Sequence, residues 1–358
     1  MTKKPKNVKE LIEQGYLCLA RLPAKNDFLL TNGKLDLKKL DSLDAYHIFI
    51  IAHDYNAKTP IMLNSLYEKL NFNLRNLTFV ASPRDIKIIT QALKQDEKCF
   101  AGARGVGLKE KIDVLDKLIP EDLKSSNIII KENNEWVGYN TDSEGFFISL
   151  RKKFSEIGKQ IKGSNLIIFG AGGVAKEVVR QAARESVKRI VILNRTYSKA
   201  VEIAYELNQK YGQIAIGGGE DMIKGYVLDT IIKPDAVINL TDKGSDGKLE
   251  DYSAFAAVNE DNEKKSIDIL KKLKSVNPKV IIADIVLPKF RKSKTLKLCE
   301  NIGLKNLLDG VPMVVNQAVP AYLMAQKIYP ELHPKRLIEK EVLKIFKKFV
   351  GIEKNGRI

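Results

Sequence analysis

A chain of 358 residues is too long for one small core and suits two domains. Its 44% apolar content is that of an ordinary globular protein, and no apolar run reaches the roughly 18–20 residues of a bilayer span, so no membrane role is expected. The net charge of +16 would suit a nucleic-acid binder, but lysines recur throughout with Glu or Asp nearby and no DNA or RNA motif accompanies them, so it is read as lysine-rich solvated helix faces.

The opening MTKKPKNVKELIEQ is charged and lacks the apolar stretch of a signal peptide. With Cys18, Cys99 and Cys299 far apart and without metal-ligand spacing, reduced thiols, a cytoplasmic location and no metal are expected. Residues 1–45 offer one short helix, Val8 to Gln14, then turn-rich polar sequence, and are taken as an N-terminal extension. From Tyr46 the strand YHIFIIA opens an alternation of elements: a helix at 61–70, a strand at 77–82, and a helix at 86–94. After a glycine-rich patch the pattern predicts an acidic-basic helix, then the strand NIIIKE (127–132), the turn ENNE and the strand WVGYN. This spacing predicts an α/β domain over 46–140.

A second unit, 141–312, opens with the helix SEGFFISLRKKF and continues through LIIF, a helix from Ala175 to Glu185, RIVIL, and a helix from Tyr197 to Tyr211. DAVINL (235–240) and VIIADIV (280–286) add strands whose wholly apolar character fits a parallel sheet covered on both faces. Residues 313–358 form a C-terminal segment. Within it, Lys335 to Val350 carries Leu337, Ile338, Val342, Ile345, Phe346 and Phe349 on one stripe, read as core packing rather than membrane contact.

Between LIIF and the next helix stands a G-x-G-x-x-A pattern, Gly170, Gly172 and Ala175. Gly170 permits a sharp turn, Gly172 lets backbone approach a pyrophosphate, and Ala175 lets helix pack closely on strand. The helix N-terminus then offers N–H groups and a positive dipole end to phosphates. About 20 residues further on, an NAD site ends its second strand in Asp or Glu, which would repel a 2′-phosphate. Here that place holds Asn194, Arg195 and Thr196, with Lys199 beyond, a set suited to bind the phosphate of NADP.

GAGGVAKE and NRT, together with GYNTDSEGF at 138–146 and GVPMVVNQAV at 310–319, resemble the shikimate dehydrogenases from about Tyr46 onward. The resemblance implies two domains, an N-terminal α/β substrate-binding domain and a Rossmann-type doubly wound parallel sheet for NADP, with C-terminal helices returning to the first. It implies reversible reduction of 3-dehydroshikimate to shikimate, without metal. Lys109, in ARGVGLKEK, takes the place of the family's catalytic Lys, and Asp142, ending Asn140-Thr141-Asp142, that of its catalytic Asp. Such a pair suits hydride transfer, because charge develops on the carbonyl oxygen where an ammonium can stabilise it or give up a proton.

The same resemblance assigns Thr59, Asn127, Asp142 and Gln317 to a cyclic hydroxy acid. It assigns Gly170, Ala171, Gly172, Gly173, Ala175, Asn194, Arg195, Thr196, Lys199, Asn239, Thr241 and Gly310 to the cofactor. No nucleic-acid partner is implied, and the chain is a monomer or homodimer. Departures cluster in the substrate pocket. Ala57-Lys58-Thr59-Pro60 stands for the family's Ser-x-Ser-Pro, Gly105 for its Thr four residues before the Lys, Gly107 for its Pro, and Leu287, before Pro288, for its Tyr. Lys58 or Arg104 is expected to compensate by pairing the carboxylate. The alternatives left open are a divergent paralogue acting on quinate or another cyclic hydroxy acid, and a non-catalytic ligand sensor.

Overall fold

The structure is a computed structural model describing residues 4–105, 107–228, 233–245, 247–258, 261–287 and 292–350. The chain divides into two compact units: Met1–Thr141 with Val314–Ile358, and Asp142–Met313.

In the first unit, helix α1 (Val8–Glu13) is capped by Asn7, whose side chain accepts the N–H of Glu10. Strand β1 (Cys18–Leu19) and the hairpin β2 (Leu30–Thr31) and β3 (Lys34–Leu35) precede β4 (Ala45–Ile51). Then come α2 (Thr59–Lys69), β5 (Leu74–Val80), α3 (Ile86–Gln95), β6 (Cys99–Arg104), β7 (Lys117–Ile119), β8 (Ile128–Glu132) and β9 (Glu135–Tyr139). Among the described residues these strands form one seven-stranded sheet, β1-β5-β4-β6-β8-β9-β7, with β2 and β3 pairing apart. All of β4 is buried, as a central strand covered on both faces requires. The β8–β9 turn passes through Asn133 and Asn134 at φ 49° and 64°, the positive values that a tight hairpin demands and asparagine tolerates.

The leading segment is woven into this unit. Val8, Leu11 and Leu17 join the core around Ile86, Ile89 and Leu93. Buried Asp96 accepts the N–H of Val8 at 2.8 Å and the hydroxyl of Tyr46 at 2.6 Å. Asn26 acts as a strand substitute on β5: its amide donates to the carbonyls of Ala20 and Thr78, and its oxygen accepts the Thr78 N–H at 2.7 Å.

The acidic-basic helix predicted after the glycine-rich patch does not form. The patch itself is the buried strand β6, and the chain then turns at 107–110 and makes one 3₁₀ turn, Ile112–Val114, before β7. Tertiary pairing overrides helical pattern here. Leu108 is fully buried, while Asp116 donates its N–H to the Trp136 carbonyl and accepts the Trp136 N–H in return.

The second unit opens with α4 (Asp142–Glu156), followed by β10 (Asn165–Phe169), α5 (Gly173–Arg184), β11 (Arg189–Leu193), α6 (Tyr197–Tyr211) and β12 (Ala215–Gly218). It continues through α7 (Ile223–Leu228), β13 (Ala236–Asn239), α8 (Asn262–Val276), β14 (Ile281–Asp284), α9 (Lys294–Ile302) and β15 (Leu307–Asp309). Its sheet, β12-β11-β10-β13-β14-β15, is parallel throughout, the strand order of a doubly wound dinucleotide-binding sheet.

Buried Lys243, in the loop after β13, bonds Glu220 at 2.8 Å and the Ala256 carbonyl at 2.8 Å. Breaking a buried pair strands a charge, so Glu220→Ala should cost about 3–5 kcal/mol of stability, read as a shifted urea midpoint. An unshifted midpoint would show that the pair contributes little.

Among the described residues the last helices are α10 (Val311–Ile328) and α11 (Glu339–Val350). Val342, Ile345 and Phe346 are buried as the apolar stripe predicts, but the helix starts at Glu339 rather than Lys335. Gln326 holds Leu337 through both its N–H and its carbonyl, which keeps that residue out of the helix, and Ile338 faces solvent.

Candidate active site

Doubly wound sheets bind ligands beyond the carboxyl ends of the strands where strand order reverses. Both units have such a point. In the first, the chain moves from β4 out to β5 and then back across to β6 on the other side of β4. The loops after β4 (52–58) and after β6 (105–111) therefore meet at that point. In the second unit the reversal lies between β10 and β13.

The first loop pair holds Thr59 at the start of α2, with Lys58 before it, and Lys109 in the turn after β6. Leu108, buried beside it, anchors the turn, and the Lys109 carbonyl accepts the Ser126 N–H at 2.8 Å. That bond fastens the lysine to the segment that carries Asn127. Asn127 is 4% exposed; its amide donates to the Thr141 hydroxyl at 3.0 Å and to Gln317 Oε1 at 3.2 Å, and its oxygen accepts the Thr141 N–H at 2.9 Å. Thr141 also donates its hydroxyl to Gln317 Oε1 at 3.3 Å. Asn127 and Gln317, 190 positions apart in sequence, are thus brought together. Thr141 joins them, although sequence reasoning singled out only its neighbour Asp142. Asp142 follows it directly, buried at the start of α4 in the second unit.

Arg104 is not available to a substrate carboxylate, contrary to the expectation from sequence. Its guanidinium is 1% exposed and points inward, donating to the Lys111 carbonyl and, at 3.3 Å, to the Thr90 hydroxyl. Burial lowers its pKa to about 10. Of the two basic residues expected to compensate, Lys58 stands on the loop after β4. The pocket departures at Ala57 and Gly105 are buried; Pro288 lies outside the described residues.

In the second unit Gly170 has φ 116°, and any side chain there would come within 2.9 Å of the Leu240 carbonyl oxygen, so the turns after β10 and β13 touch. Ala171 and Ala175 are buried. Gly172 precedes α5 with open space where a side chain would stand, no side chain caps the helix, and its first turn holds no acid. That fits an approaching pyrophosphate. At the end of β11, Asn194 donates its amide to the Thr196 carbonyl at 3.0 Å, shaping a turn that leaves Arg195, Thr196 and Lys199 exposed, again with no acid in the first turn of α6. The donors suit a 2′-phosphate. Asn239 and Thr241, expected at the cofactor, direct their side chains at each other: Asn239 accepts the Thr241 N–H and hydroxyl and donates to Asp284. They hold the loop that Gly170 touches. At Gly310 any side chain would overlap the Ile285 carbonyl.

Burial raises the Asp284 carboxyl to about 6 against four donors: Ser293, the Val286 N–H, Asn239 and Thr295. Among the described residues no group of His, Cys, Asp and Glu is placed to hold a metal, and no helix is long and apolar enough to cross a membrane.

Fold and turn chemistry define a two-unit α/β protein whose second unit has the form that receives dinucleotides. The shikimate/quinate 5-dehydrogenase family model matches residues 151–226. A shikimate dehydrogenase (NADP(+)) of Alkaliphilus metalliredigens is 28% identical over 285 residues, 78% of this chain and 91% of that protein. Shikimate 5-dehydrogenase from Listeria monocytogenes, solved with shikimate and NAD, shares the fold with a TM-score of 0.64 at 22% identity, over 84% of this chain and 96% of that one. A 5-ketofructose reductase of a Gluconobacter species shares it too, with a TM-score of 0.61 at 20% identity over 85% and 98%. The chain is thus similar to shikimate dehydrogenases over about three quarters of its length.

Proposed function

We propose that this chain is an NADP-dependent oxidoreductase that interconverts 3-dehydroshikimate and shikimate. What supports the reading is the fastening of Lys109, at the reversal between β4 and β6, to the segment whose Asn127 meets Thr141 and Gln317. Gly170–Ala175 and Arg195 would hold the nicotinamide cofactor, which would supply or accept the hydride when bound. Lys109 gives a proton to the carbonyl oxygen in reduction and takes it back in oxidation, and Asp142 orients it. Asn127 and Gln317 bind the ring hydroxyls, and Thr59 the carboxylate. The altered pocket at Ala57, Gly105 and Leu287 supports a second substrate set, quinate or a related ring acid.

The test is loss of NADPH absorbance on adding 3-dehydroshikimate, run beside a panel of cyclic keto acids. Silence across the panel would overturn the reading. Cofactor choice has its own check. Arg195→Asp should weaken NADP+ by about 10- to 100-fold while NAD+ weakens far less, because the new carboxylate faces a phosphate in one case only. An equal loss of both would remove Arg195 from the phosphate site.

A further inference from the structure

At the carboxyl end of the second unit's sheet, one buried carboxylate ties together several stretches of chain. Asp284, the last residue of β14, is fully buried. Its Oδ1 accepts the Asn239 amide at 3.0 Å and the Val286 N–H at 3.1 Å. Its Oδ2 accepts the Ser293 hydroxyl at 2.6 Å, and that hydroxyl oxygen accepts the Leu296 N–H as the cap of α9. Thr295 donates to the same carboxyl, and its hydroxyl oxygen accepts the Ala254 N–H at 3.0 Å. An ionised carboxylate only accepts, so every group facing Asp284 must be a donor.

That constraint fixes Asn239. An asparagine amide has a donor end and an acceptor end, and either could face a neutral neighbour. Facing Asp284, Asn239 must present Nδ2, which leaves its oxygen turned along the loop. There the oxygen accepts the Thr241 N–H at 3.0 Å and the Thr241 hydroxyl at 2.7 Å, while Nδ2 also reaches the Lys243 carbonyl at 3.3 Å. These bonds set the turn 239–241, and with it Leu240. Leu240 donates its N–H to the Phe169 carbonyl at 2.8 Å, and its own carbonyl oxygen stands 2.9 Å from where a side chain on Gly170 would begin. The glycine turn after β10 thus rests on a turn whose shape is dictated from Asp284, two strands away.

We infer that Asp284 is a positioning residue for the dinucleotide, acting through Asn239 and the 239–241 turn on the glycine turn that faces the pyrophosphate. This rests on the proposed placement of the cofactor at Gly170–Ala175. The carboxylate contributes orientation. It forbids the flipped amide, in which two acceptors would meet and the Thr241 N–H would face a donor.

The experiment is calorimetric titration of NADP+ into the full chain, with melting temperature measured on the cofactor-free protein. Asp284→Asn, which keeps the shape but permits the flip, should weaken NADP+ by about 10-fold, and Asn239→Ala by a similar factor. The double variant should bind no more weakly than the weaker single one, because both changes break one chain of contacts. Ser293→Ala uncaps α9 and frees only Oδ2, so it should lower the melting temperature and leave NADP+ affinity as in the parent. In turnover, the KM for NADPH should rise in Asp284→Asn with kcat little changed; a fall in kcat at constant KM would mark a partly unfolded population and overturn the role. Additive losses in the double variant would overturn it too, as would a loss in Ser293→Ala equal to that in Asp284→Asn. Parent-like affinity in Asn239→Ala would do the same, even where Asp284→Asn fails to fold. Each of these leaves the cofactor reading standing, whereas a parent chain that binds no NADP+ would overturn both.

Discussion

Lys109→Ala should lower the rate of 3-dehydroshikimate reduction by about 10²- to 10⁴-fold, the usual contribution of a positioned proton donor. The bond between Lys109 and Ser126 uses the lysine carbonyl, which alanine keeps, and the anchor Leu108 is untouched. The folded turn therefore survives, and melting temperature should shift by little. Stopped-flow or steady-state oxidation of NADPH reads the rate, and circular dichroism reads the fold. A variant as fast as the parent would remove Lys109 from the chemistry, whatever the substrate. A variant that has lost both rate and fold would put the lysine in the scaffold instead.

Deleting residues 1–44 should abolish independent folding. Val8, Leu11, Leu17, Leu29, Leu40 and Leu43 are all buried. Burying such side chains is worth about 1.5–3 kcal/mol each, so their combined loss rivals the whole stability of a typical domain, roughly 5–15 kcal/mol. The truncation also strips Asp96 of the Val8 N–H, and leaves Thr78 of β5 without the Asn26 amide that satisfies its N–H and carbonyl. The expected result is insoluble protein or a chain without a cooperative melt. A soluble truncation that melts at the parent temperature would show that the segment is dispensable. Asn26→Ala is the milder version: it removes three hydrogen bonds at once without exposing the apolar residues.

Period and punctuation made much of the fold legible. Tyr197–Tyr211 is the helix that spacing predicts, and β4, β10 and β11 follow their apolar runs to within a residue or two. The short strand β12, in the segment Ala215–Gly218, escaped because two of its four residues are glycine. β6 read as a glycine-rich patch because its pairing partners, rather than its own residues, make it a strand. The helix expected after it lost to the exchange of backbone and side-chain bonds between Asp116 and Trp136, a contact across 20 positions that no local window contains.

In the second unit, residue types gave the glycine turn after β10 and the exposed Arg195, because glycines and missing acids are local signals. The Asn127–Thr141–Gln317 cluster is not local. The Asn-Thr-Asp tripeptide was the one hint of Thr141. The leading segment had no motif at all, since its work is done by scattered leucines and by one asparagine that imitates a strand.

Asp54 spends both carboxylate oxygens on backbone groups of Arg21 and Leu22. The tether makes the first few dozen residues a stake driven beside the loop after β4. Neither can drift without dragging its companion. Inheritance then faces a joint constraint: a change near Arg21 that looks remote from the loop after β4 is judged by how well that loop keeps its shape.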